Sequence, residues 1–222
     1  DGGFLFDTSG PMGFVEENSL ELFESLLNSK VADHIIHILS SGKQMKLGYI
    51  LKMPVVIPQN RTFIAREAYS ISKSDWDAYE TSWEFKKSPL LRNRFIQSNK
   101  KLESEYVDLF ESWQEDIIKM RDLEETNNRL FITTYGISDE ISPLVPLEEV
   151  TLTCNPYYRY NGNSTKKELK NRLLNDTLKE FISYSVGCMF GRYSLDKPGL
   201  LLANQGETVE DYYKALGLPP LP

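Results

Sequence analysis

One apolar stripe constrains this chain more than any other feature. Leu102, Tyr106, Leu109, Trp113, Ile117, Met120 and Leu123 recur at spacings of four and three, with Glu, Lys and Asp between them. That is the period of one helix face, and Gly136 is a natural stop for it. At 1.5 Å per residue, residues 100–134 predict a rod of about 50 Å. So narrow a stripe on so long a rod needs a partner helix or a second domain to cover it. With 222 residues, the chain is long enough for a sizeable core, in one large domain or two small ones.

The flanks of the rod read differently. Before it, Phe4-Leu5-Phe6 and Phe14-Val15 lie among glycines and Pro11 and predict short strands joined by turns. Asn18 and Glu21 stand in capping-box register ahead of Leu22, Phe23, Leu26 and Leu27. A second helical stretch carries Val31, Ile35, Ile36, Ile38 and Leu39. Met53-Pro54-Val55-Val56-Ile57-Pro58 predicts a strand at an edge or exit, because its prolines cannot donate to a ladder. Ser74 is placed to cap a helix bearing Trp76, Tyr79, Glu80 and Trp83, which Pro89 would end. After the rod, Val150-Thr151-Leu152-Thr153 is β-branched, and Thr165 with Glu168 makes a capping box for a last long helix that stops at Gly191. The expected fold class is therefore α+β: a small mixed β-containing lobe over 1–65, then a mainly helical lobe over 66–222 that contains the long helix.

Charge narrows the function. The net charge of −7 taken whole argues against a nucleic-acid binder, but it is unevenly spread. Residues 28–101 hold 13 basic and 6 acidic side chains, between an acidic start and a segment 102–222 with 12 basic and 20 acidic ones. A local basic island is the electrostatic footprint of phosphate binding. It offers Lys43, Lys46, Arg61, Arg66, Lys73, Lys86, Lys87, Arg92 and Arg94 as candidate phosphate contacts. Trp76, Tyr79, Trp83, Phe85 and Phe95 interleave with some of these cations. They could stack on bases, or be core beside cations that are merely solvated.

Other chemistry is thin. No glycine-rich nucleotide loop, HExxH or GxSxG motif occurs. His34 and His37, without a nearby Cys or carboxylate cluster, predict partly buried, hydrogen-bonded imidazoles and no metal site. Cys154 and Cys188 lie in apolar surroundings that suit a reducing cytoplasm. No apolar run is long enough to span a bilayer. Asn155-Pro156-Tyr157-Tyr158 approaches the Asn/Asp-Pro-Pro-Tyr/Phe loop of amino-methyltransferases, but Tyr157 replaces the second proline. The turn that would aim a carbonyl at a flipped base is thereby lost. No catalytic and no cofactor-binding residue is assigned.

The longer strings carry a resemblance. Leu26-Leu27-Asn28-Ser29-Lys30-Val31-Ala32, read as a helix, followed by the Met53–Pro58 segment, is similar to the recurring segment of DNA target-recognition domains. Four further regions resemble the large adenine-specific DNA methyltransferases of phage growth limitation, or BREX-type, phage-defence systems. These are Ile71–Trp76 with Glu80-Thr81-Ser82-Trp83, Glu124–Arg129 with Tyr135-Gly136, Leu152–Tyr160, and Ile182–Asp196. The resemblance implies a cytoplasmic N6-adenine methyltransferase that uses S-adenosylmethionine and acts on double-stranded DNA, with other defence subunits as further partners. It implies that the donor domain and the true catalytic loop precede Asp1, so this stretch is expected to be an inactive recognition and spacer fragment that binds no cofactor itself. The alternative is a protein-interaction module of the same complex with no DNA contact.

Overall fold

The computed structural model describes residues 13–40, 47–59, 64–91, 101–160 and 164–219. Their helices, in chain order, are α1 (Glu17–Leu27), α2 (Lys30–Leu39), α3 (Leu47–Ile50), α4 (Ala65–Trp76), α5 (Leu102–Tyr135), α6 (Pro156–Tyr160), α7 (Lys166–Met189) and α8 (Val209–Ala215). Two short 3-10 turns lie at Pro89–Leu91 and Leu147–Glu149. The chain divides into two compact units, both discontinuous in sequence. Unit 1 takes 1–69 and 120–146, and unit 2 takes 70–119 and 147–222.

The α+β expectation is corrected: among the described residues there is no strand, and the fold is helical. At the expected strand 53–58, and in the β-branched stretch 150–153, the backbone groups of a ladder are taken by side chains. At 54–58 the Tyr135 hydroxyl donates to Pro54 O at 2.6 Å and accepts from Val56 N–H at 3.2 Å. Pro54 and Pro58 have no N–H to offer. At 150–154 the Asp75 carboxylate accepts from Thr153 N–H at 2.6 Å and Cys154 N–H at 2.9 Å. The Asn155 amide donates to Leu147 O and Val150 O at 2.7 and 2.8 Å. Phe14 and Val15 are exposed and in no regular element. Phe4-Leu5-Phe6 lies outside the described residues.

Unit 1 is organised by the junction of α1 and α2, and this corrects the single helix expected over Leu26–Ala32. Ser29 interrupts it as the N-cap of α2, donating to Leu26 O at 2.6 Å and accepting from Ala32 N–H at 3.3 Å. Leu26, Val31 and Ala32 are fully buried and pack with Met53, Phe131 and Ile132. Two buried asparagines of α5 tie the junction down. Asn127 donates to Ser25 O at 2.7 Å. Asn128 accepts from Lys30 N–H at 2.9 Å and donates to Pro143 O at 3.2 Å. Side-chain amides can do both jobs because they carry donors and an acceptor in one plane.

In unit 2 the stripe of α5 is buried at Tyr106, Leu109, Trp113 and Ile117, as its period requires. α6 packs on α7, which starts at the capping box of Thr165 and Glu168. Phe85, Tyr184 and Tyr193 form an aromatic cluster with ring centroids 5.2 to 5.8 Å apart. Gly187 allows it, since a Cβ there would fall 2.7 Å from the Tyr193 ring. The helix expected after Ser74 is not formed: Ser74 lies inside α4, which ends at Trp76. Local side-chain bonds outcompete helix beyond it, Ser82 donating to Asp77 at 2.6 Å and accepting from Glu84 N–H at 3.1 Å. The turn buries Tyr79 and leaves Trp83 93% exposed.

Candidate nucleic-acid interface

Five of the nine candidate phosphate contacts, Lys43, Lys46, Arg61, Arg92 and Arg94, lie outside the described residues. The other four do not converge on one patch. Arg66 belongs to unit 1, where its guanidinium pairs with Glu21. Lys73, Lys86 and Lys87 belong to unit 2 and line one open cleft of about 400 Å³, together with Asp75, Asp77, Glu84 and Asp116.

This cleft is not a bare cationic surface. Lys73 reaches Asp77 at 3.0 Å. Partial burial works against ionisation of Asp77, but the Ser82 hydroxyl, Lys73 and the charge of Lys86 outweigh it and hold the carboxyl below its ordinary value. The Lys86 carbonyl accepts from Gly199 N–H at 2.8 Å, which anchors the backbone that presents the lysines. Lys87 Nζ lies 3.5 Å from Leu91 O. Three ammonium groups therefore share the cleft with four carboxylates.

The Asn155 loop is structural. Asn155 is fully buried, its amide spent on Leu147 and Val150 and its carbonyl oxygen on Tyr157 N–H at 3.1 Å. It stands just before the first turn of α6, with Pro156 in first position, and has no group left for a substrate. Cys154 is equally inert: burial, then the adjacent Asp75 charge, pushes its thiol up. His34 lies 4.0 Å from Glu140, and His37 Nδ1 lies 2.8 Å from Asp33 O. Among the described residues no group of three or more metal-ligating side chains forms.

Among the described glycines, Gly187 and Gly191 are those where an added Cβ would meet other atoms, and those atoms are side chains of Tyr193, Arg192, Leu202 and Tyr212. The close approaches are thus filled from within.

A second cavity of unit 2 went unnoticed in the sequence. It measures about 250 Å³ and is lined by Tyr79, Glu80, Phe85, Arg159, Glu180, Ser183 and Tyr184, among others. The Arg159 guanidinium lies 5.5 Å from the Tyr79 ring centroid and donates from Nη2 to Glu180 at 2.7 Å. Burial works against its charge, and the pairing with Glu180 outweighs that and holds it firmly ionised. Burial, then the charge of Asp75, keeps the Tyr79 hydroxyl protonated. Arg159 Nη1, Glu80 Oε1 and the Tyr79 hydroxyl are buried without a hydrogen-bond partner. No local spacing reveals this site, since Glu80 and Arg159 come from segments far apart in the chain. The available signal was that three of the strings carrying the resemblance, those containing Glu80, Arg159 and Tyr184, each supply residues to it.

No family model matches the chain. It is similar to two adenine-specific methyltransferases. One is BrxX of Escherichia coli O9:H4 (strain HS), 33% identical over 207 residues, covering 92% of this chain and 17% of that protein. The other is PglX of Lacticaseibacillus casei (strain Zhang), 31% identical over 208 residues, covering 90% of this chain and 16% of that protein. The relatives thus define a class, adenine-specific methyltransferases, of whose length the chain spans about a sixth. Within that class the chain belongs to the BREX-type PglX family, as the counterpart of one segment of its members.

Proposed function

We propose that this chain is the DNA-recognition and spacer segment of a site-specific N6-adenine methyltransferase of a phage-defence system. The intact protein would use S-adenosylmethionine and act on double-stranded DNA, and other defence subunits are its further partners. The observation that carries this reading is the match over nine-tenths of the chain to a segment of BrxX. The Asn155 amide, committed to its own backbone, supports a non-catalytic part in that protein. Phosphate contacts would come from Lys73, Lys86 and Lys87 of the cleft, joined by Arg92 and Arg94. Because carboxylates share the cleft, duplex contact here would be modest in strength and sensitive to salt.

Fluorescence anisotropy with a random duplex at about 50 and 200 mM salt tests the reading. Binding that falls steeply with salt, and is abolished by charge reversal at Lys86, Lys87, Arg92 and Arg94, is the expected result. No binding at the lower salt removes direct DNA contact by this segment.

One observation favours a protein-interaction module instead. Ile182, Val186 and Met189 of α7, with Phe190 after it, are all exposed, from 44% at Val186 to 82% at Met189. They fall at the spacing of a single helix face, and exposed apolar faces of this kind mark contact surfaces. Among the described residues no helix is long and apolar enough to cross a membrane. Failure to bind duplex, with a stable complex formed on the remainder of the methyltransferase and lost in Met189→Glu, would favour it.

A further inference from the structure

Three residues that line one small cavity in unit 2 each carry a buried polar atom without a partner, and each such atom would cost free energy if left unmatched. A buried donor or acceptor without a partner bears its full desolvation penalty. Here the set is complementary: Arg159 Nη1 can only donate, Glu80 Oε1 can only accept, and the Tyr79 hydroxyl can do either. Tyr79 is 8% exposed, so solvent at large does not supply the missing bonds.

The lining specifies the ligand further. The carboxylates of Glu80 and Glu180 line the cavity with one guanidinium, that of Arg159, which is already paired with Glu180, so the local charge disfavours a phosphate or a carboxylate. Tyr79, Phe85 and Tyr184 give it aromatic walls, which suit a flat ring. At about 250 Å³ it falls below the roughly 300–1,000 Å³ of sites for drug-sized ligands. It admits one heterocycle and no folded segment. A neutral ring with an amino group beside a ring acceptor matches both Glu80 and Arg159, and adenine and cytosine present that edge. A carboxamide shares the edge but has no ring face for the aromatic walls.

We propose that the Glu80–Arg159 cavity seats an unstacked nucleobase that carries an exocyclic amine beside a ring nitrogen. Glu80 accepts from the amine, Arg159 donates to the ring nitrogen, and Tyr79 adds the third bond. The base comes from a nucleic-acid strand or from a free nucleoside. The proposal goes beyond duplex phosphate contact and depends on the nucleic-acid reading only for the first of those sources.

Saturation-transfer NMR of the chain with adenosine, cytidine and N6,N6-dimethyladenosine tests it, with propionamide as competitor. Adenosine and cytidine should show saturation at their base protons, and N6,N6-dimethyladenosine should bind about tenfold more weakly, since it has no N–H to offer Glu80. Glu80→Gln, which keeps the shape and removes the charge, should weaken adenosine about tenfold without moving the unfolding midpoint. Tyr79→Phe should weaken it less, and serves as the second variant if Glu80→Gln does not fold. An oligo-dA strand that binds with the same Glu80→Gln sensitivity supports a strand as the source, and adenosine binding without strand binding supports the free nucleoside. No binding of either nucleoside at millimolar concentration, equal binding of N6,N6-dimethyladenosine, indifference to both variants, or equal displacement by propionamide overturns the proposal. Salt-sensitive duplex binding with no nucleoside binding overturns this site and leaves the proposed function standing. Nucleoside binding without duplex binding does the reverse.

Discussion

The two units use buried polar groups in opposite ways. In unit 1 the asparagines of α5 bond to backbone groups of the α1–α2 junction and of the segment after α5. They close a core of Leu26, Val31, Ala32, Met53, Phe131 and Ile132. The polar atoms left over there, Ser25 Oγ and Asn127 Oδ1, sit on two residues already joined by one hydrogen bond. In unit 2 three of the four orphaned atoms among the described residues, on Glu80, Tyr79 and Arg159, instead belong to residues that line a cavity walled by aromatic rings, the fourth being the Tyr106 hydroxyl. Unit 1 is held by packing, whereas unit 2 keeps a space open and leaves polar atoms facing it. Unsatisfied groups that persist in a folded protein point to function more than to stability, which directs attention to unit 2.

That contrast can be tested from its strongest consequence downward. Phe131 is fully buried in unit 1, so Phe131→Ala should cost about 3–5 kcal/mol in urea unfolding. A loss well under that would mean that unit 1 is not held mainly by packing. In unit 2 the corresponding weak point is polar. Asp75→Ala removes the acceptor for two backbone N–H groups and should cost about 1–3 kcal/mol. It should also expose to alkylation at pH 8 the buried Cys154 thiol, which in the wild type is expected to resist iodoacetamide. Thr165→Ala, which breaks the capping box of α7, should cost about 1 kcal/mol.

Two smaller effects sharpen the comparison. Tyr79→Phe deletes an unpartnered buried hydroxyl, so thermal unfolding should show it neutral or stabilising by up to about 1 kcal/mol. Clear destabilisation would mean that the hydroxyl has a partner and that the cavity needs no ligand. The last effect concerns pH. The folded Asp77 carboxyl lies below its ordinary value of 3.8, so its contribution is present above that value and is lost as pH falls through the lower folded one. The stability difference between wild type and Ser82→Ala should therefore shrink as the pH is taken from 6 to below 3.8, and a difference that stays constant would show that Asp77 is not its source.

Some elements were legible locally because their causes are local. The stripe from Tyr106 to Met120, the stop at Gly136 and the Thr165–Glu168 box each depend on residues within one or two turns, and all are present. The strand expected at 53–58 failed because its fate depends on a distant side chain, Tyr135, which takes the backbone of 54–56, and Asp75 takes that of the β-branched stretch at 153–154 in the same way. β-Branched composition cannot anticipate a carboxylate nearly eighty residues away. The basic island shows the same limit, since charge counted along the chain does not reveal that Lys73 meets Asp77 or that Arg66 meets Glu21.

What the sequence determined by itself is the helical periodicity, the caps and, through its longer strings, the family. Those follow from spacing and residue identity, which any window of the chain contains. Only the tertiary structure decided that Asn155 is a structural cap, that three candidate lysines share a cleft with carboxylates, and that Glu80 and Arg159 border one cavity. Hydrogen-bond satisfaction is a property of the folded surroundings: whether a polar atom is spent or still available is settled by whatever the fold brings within about 3 Å of it.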